Sequence, residues 1–135
     1  RLGRVMTDEE RFDETAAVSI LGGREEDDYS GLDQRPVIAA VRGRITSLSG
    51  GGLAVILEEA PALNAVIRAP LELAATAPLE VYARVVNVAP LGRGRYLVRG
   101  AFVAIPDETR EAVTRYVFHQ QQLRAAQEGD KGTAQ

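Results

Sequence analysis

The sequence predicts a mainly β domain, an antiparallel barrel or sandwich closed by one C-terminal helix. Two observations point to the β layer. Between Pro36 and Ile105 the chain breaks into short apolar or alternating stretches of strand length. Pro61, Pro70, Pro78 and Pro90 fall at the ends of these stretches or between them, where a missing N–H does no harm. The third observation is a change of period after Ile105, where apolar residues recur at helical spacing.

Taken in order, residues 1–33 hold ten acids against four arginines, a balance of −6. "TDEERFDE" reads as a helical turn or a solvated loop, and the apolar run Ala16–Leu21 as a possible strand. "GGREEDDYSGLDQRP" reads as a long loop, unusual inside a compact domain. This segment is expected to be an acidic arm or extension, followed by a barrel-plus-helix unit over 34–128 and a flexible tail over 129–135.

Strands are predicted near 37–48, 52–58, 64–70, 78–89 and 95–105. Gly92 and Gly94 supply a hairpin turn between the last two. Val81, Ala83 and Val85 share one strand face, and Tyr96, Val98, Gly100 and Phe102 share another. Such strands must bury one face, which favours a closed or doubled sheet. The helix opens at Pro106-Asp107 with acids in its first turn and is expected to stop at Gly129. Its stripe of Ala112, Val113, Tyr116, Val117, Gln120 and Leu123 needs a partner, and the end or open face of the β layer is the obvious one.

Composition removes several function classes. The chain has no cysteine and one histidine, His119, so disulfides, thiolate metal sites, His-based metal sites and Ser–His catalysis have almost nothing to work with. No apolar run reaches membrane-spanning length and no signal peptide is visible, so the reading is a cytoplasmic domain that does not insert in a membrane. The chain begins with Arg1 rather than Met, which suggests a longer parent protein. Residues 34–135 hold twelve bases against nine acids, a balance of +3, and all but one of the chain's sixteen bases are arginine. No basic stripe suited to duplex DNA is present, so DNA is not an expected partner.

Candidate chemistry is sparse. Glu58-Glu59 and "EEDD" read as solvated acids rather than a catalytic pair, and no enzyme activity is expected. "GRGR" at 92–95 lacks a P-loop lysine and is explained by its turn, while the four tyrosines are too scattered for a base-stacking platform. Interest falls on "SLSGGG", Ser47–Gly52, because a hairpin needs only two turn residues. Glycines leave backbone N–H groups open to an anion, and Ser49 adds a hydroxyl. A plain small-residue turn explains the same letters.

Read in order, "ITSLSGGGLAV", then "VRGAFVAIPDETREAVTRYVFHQQQLR", resembles a PilZ domain over roughly residues 34–126. The matching features are Ser49 and Gly52 in an Asp/Asn-x-Ser-x-x-Gly turn, Gly100 and Phe102 in the late strand, and Pro106-Asp107 before the helix. Within the helix they are Tyr116-Val117-Phe118, Gln121, Leu123 and Arg124. The resemblance implies a six-stranded antiparallel β-barrel with a C-terminal α-helix. It also implies a non-catalytic bacterial receptor for cyclic di-GMP, a ligand rather than a cofactor, acting on motility, adhesion (biofilm) or exopolysaccharide machinery. The family grips that nucleotide with an Arg-x-x-x-Arg arm and the Ser/Gly turn. Arginine forks suit its phosphates and guanine edges.

By that resemblance the ligand-binding residues are Arg1, Arg4, Ser47, Ser49, Gly50, Gly51 and Gly52, with no catalytic or metal residues. Two departures stand out. Ser47 occupies the Asp/Asn position, and no Arg-x-x-x-Arg precedes the barrel, unless Arg1 and Arg4 are its second and last arginines. Some forty residues separate Arg4 from Ser47, more than is usual for the family. The alternatives are a PilZ-like protein-interaction module that binds no nucleotide, working through a partner protein or neighbouring domain. More distant is a small barrel that binds single-stranded nucleic acid.

Overall fold

The computed structural model describes residues 10–22, 29, 31–73 and 78–133. Six strands, β1 (Glu10–Leu21), β2 (Val37–Leu48), β3 (Gly52–Leu57), β4 (Val66–Leu71), β5 (Leu79–Gly92) and β6 (Arg95–Val103), close into a barrel. The order around it is β1-β2-β3-β6-β5-β4, and every neighbouring pair is antiparallel. One helix, α1 (Asp107–Thr133), follows. The expected mainly β, six-stranded barrel with a C-terminal helix is the observed architecture.

The strands form where the alternation predicts. Val81, Ala83 and Val85 of β5 are buried, as are Val98, Gly100 and Phe102 of β6. In β2, Val41, Gly43 and Ile45 face inward until a register shift between Ile45 and Ser47; beyond it Leu48 points into the core. The shift has the character of a β-bulge, which re-aims the residues that follow it. The hairpin from β5 to β6 turns through Gly92, Arg93 and Gly94, all with positive φ.

The sixth strand comes from the acidic segment 1–33. β1 begins at Glu10, so "ERFDE" lies in a strand rather than in a helical turn or loop. Backbone pairing with β2 overrides its polar composition: Glu10 stands opposite Leu48 and Arg11 opposite Ser47. Further along, Ala16, Val18 and Ile20 fill the core as an alternating strand should. Thr7 to Glu9 lie outside the described residues. Leu21 joins Leu32 and Val66 in a second small cluster, with Tyr29, Tyr82 and Val103 against it.

Helix α1 packs Val113 and Val117, 0% and 4% exposed, into the barrel core, with Ala112 and Tyr116 half-buried beside them. Its first turn closes with the Arg110 N–H donating to the Pro106 carbonyl at 2.9 Å. The helix continues through Gly129 to Thr133, beyond the expected stop. A glycine inside a helix costs about 1 kcal/mol relative to alanine, a weak break with no proline behind it. Residues 134–135 of the expected tail lie outside the described residues.

Candidate functional site

The turn between β2 and β3 lies at the end of the barrel that α1 covers. Ser49 organises it. The Ser49 N–H donates to the Gly52 carbonyl at 2.9 Å, and the Ser49 hydroxyl donates to the same carbonyl at 3.3 Å. The amides of Gly51 and Gly52 both donate to Ser49 Oγ at 3.2 Å. The open row of amides expected from the sequence is thus turned inward, because a serine hydroxyl that can donate and accept satisfies them locally.

Two elements hold the turn from outside. The Phe102 N–H of β6 donates to the Gly51 carbonyl at 2.9 Å, and Arg110 Nη1 of α1 donates to the Gly50 carbonyl at 3.1 Å. Thr114, one helical turn further, sits so close that a Cβ on Gly50 would lie 2.9 Å from its Oγ1. Gly52 is the tightest position. A Cβ there would fall 2.1 Å from the Gly100 carbonyl oxygen, so β3 and β6 approach each other only because this residue is glycine.

Of the residues singled out by sequence, Ser47 and Ser49 are half-buried, Gly50 is half-buried against α1, Gly51 is exposed and Gly52 is buried. Arg1 and Arg4 lie outside the described residues. Because β1 runs antiparallel to β2 and starts opposite Leu48, its first residue stands at the Ser47–Gly52 end. Arg4 precedes Glu10 by six residues in the sequence.

The register also aligns with Ser47 two arginine positions, Arg11 and Arg99, that the sequence reading did not place at the turn. Arg11 pairs with Ser47, Ser47 with Ala54, and Ala54 with Arg99, a single row across β1, β2, β3 and β6. Neighbouring strands are about 4.8 Å apart, so the row sets one arginine position next to Ser47 and another two strands away. An arginine spacing motif could not reveal this, since the residues belong to separate strands.

The model of the PilZ domain family matches residues 8–119. The chain belongs to the PilZ domain family. The match starts earlier than the resemblance read from the sequence and takes in the whole of β1. Arg1 and Arg4 precede the matched span, and the last part of α1 follows it. No curated protein and no solved structure matches the chain. PilZ domains are non-catalytic modules that bind cyclic di-GMP as a ligand rather than a cofactor. Among the described residues no group of three or more His, Cys, Asp or Glu residues could hold a metal ion, and no helix is long and apolar enough to cross a membrane.

Proposed function

We propose that this PilZ domain is a cyclic di-GMP receptor whose ligand docks at the Ser47–Gly52 turn with arginines of the N-terminal segment. The observation that carries the reading is the pairing of Arg11 with Ser47, which brings the start of β1 beside the turn. Arg1, Arg4, Ser47, Ser49, Gly50, Gly51 and Gly52 are the proposed ligand residues, and Arg11 joins them by register. Arginine suits a ligand with two phosphates and two guanines, because one planar fork serves both groups. Binding then acts as a population shift, changing the surface offered to a neighbouring domain or partner protein. The setting is cytoplasmic bacterial signalling over motility, adhesion or exopolysaccharide machinery.

A second reading has its own support. With the Gly51 and Gly52 amides already bonded to Ser49, and serine where the family has Asp or Asn, the domain works instead as a protein-interaction module without a nucleotide. Isothermal titration with cyclic di-GMP separates the two. Micromolar binding weakened by Arg11→Ala and Ser49→Ala supports the receptor. A folded protein that gives no heat at high-micromolar nucleotide leaves the interaction module standing.

A further inference from the structure

Helix α1 leaves one aromatic side chain uncovered beside the turn. Phe118 is 57% exposed, although Val117 next to it is buried. A single exposed apolar residue is common and by itself points nowhere. Its surroundings are more specific. Phe118 lines a cleft of about 140 Å³ together with Gly50, Thr114, Val117 and Gln121, so one wall is the glycine turn and the other is the helix.

The cleft has the size and chemistry of a seat for a flat heterocycle. A cavity of about 150 Å³ holds one benzene ring, so one ring of a purine fits here while the second extends toward the open side. The lining offers an aromatic face, an amide side chain and a hydroxyl, a mixture that suits a base better than an aliphatic anchor. Arg110 reaches the same glycine, with Nη1 3.1 Å from the Gly50 carbonyl. A guanidinium carries five N–H donors, and that bond uses one of them.

We propose that the cleft between the Ser49–Gly52 turn and α1 seats one guanine of cyclic di-GMP. Phe118 stacks on the base, Gln121 meets its edge, and Arg110 donates to its O6 and N7 acceptors. This rests on the nucleotide-receptor reading above and adds the helix to the binding surface. The pairing follows known preferences, since arginine forks onto the O6/N7 edge of guanine and aromatic rings stack on any base face.

The chain contains no tryptophan, so Phe118→Trp introduces a single indole at the cleft. The wild-type chain, Phe118→Ala and Phe118→Trp are titrated with cyclic di-GMP by calorimetry, and the indole emission of the last is followed. Phe118→Ala is expected to weaken binding by about 5- to 150-fold, the range for one lost base stack. Phe118→Trp is expected to keep affinity, with emission quenched along the calorimetric isotherm. Wild-type binding matched by Phe118→Ala, with an indole that does not respond, overturns the base seat and leaves the receptor reading intact. A wild-type chain that binds no cyclic di-GMP overturns both.

Discussion

Arg110 of α1 and Gly50 of the β2–β3 turn are joined by a guanidinium-to-carbonyl hydrogen bond of 3.1 Å, sixty residues apart in sequence. With Thr114 against the same glycine, this makes the helix a wall of the turn as well as a plug for the barrel. The core contacts of α1 are Val113 and Val117, and they do not require Arg110. The two jobs of the helix are therefore separable by mutation.

Arg110→Ala is expected to loosen the turn without unfolding the domain. The bond is exposed, so its removal costs at most about 0.5–1.5 kcal/mol, and the urea midpoint moves little. Local opening changes more, because the Ser49 and Gly52 amides close the turn that Arg110 braces. Amide hydrogen exchange by NMR is expected to quicken at Ser49 and Gly52 while the amides of β5 and β6 keep their protection. Unchanged exchange at the turn would show that the brace is ornamental.

Adjacent glycines are expected to respond in opposite ways to alanine. Gly51 has nothing within 4 Å of an added Cβ and no positive φ, so Gly51→Ala should change stability by no more than about 0.5 kcal/mol. Gly52→Ala drives a methyl into the Gly100 carbonyl, a backbone atom that cannot swing aside. Overpacking of this kind costs about 1–3 kcal/mol and sometimes more. Urea denaturation of the two variants measures the difference directly. Equal midpoints would mean that β3 and β6 are not locked at the spacing described.

The same pair of glycines marks what sequence could and could not convey. Strand positions were legible because one face of each strand must be apolar, and Val81–Ala83–Val85 reads that way without coordinates. The "SGGG" oddity was legible as a site of close approach, but its partner, Gly100, was not, since strand order is a long-range fact. Polar β1 residues hid a strand because Glu10 and Arg11 are held by backbone pairing, which leaves no hydrophobic signature. Arg11 carries no apolar pattern for the same reason, and the exposure of Phe118 depends on how α1 sits on the barrel, which its place in the helix pattern does not encode. Ser49 stands in the turn that the letters mark, yet its hydroxyl serves the turn itself, a matter of rotamer and hydrogen-bond geometry that letters do not encode.

Ser47 offers the sharpest test of the receptor reading, because a single substitution restores the family residue. It is half-buried, with Arg11 opposite on β1 and Ala54 opposite on β3, and Arg99 one strand further along the same row. Ser47→Asp introduces a carboxylate able to accept from the guanine N–H groups, and arginine positions in the row offset the cost of adding that charge. A hydrogen bond to a charged partner is worth about 1.5–3 kcal/mol, so cyclic di-GMP affinity should tighten by roughly 10- to 150-fold. Ser47→Asn, which lacks the charge, should give a smaller gain. Calorimetric titration of the three proteins under one salt condition reads the order Asp, Asn, Ser. If Ser47→Asp melts like the wild type and binds the nucleotide no better, position 47 does not face the ligand and the Ser47–Gly52 turn loses its proposed role.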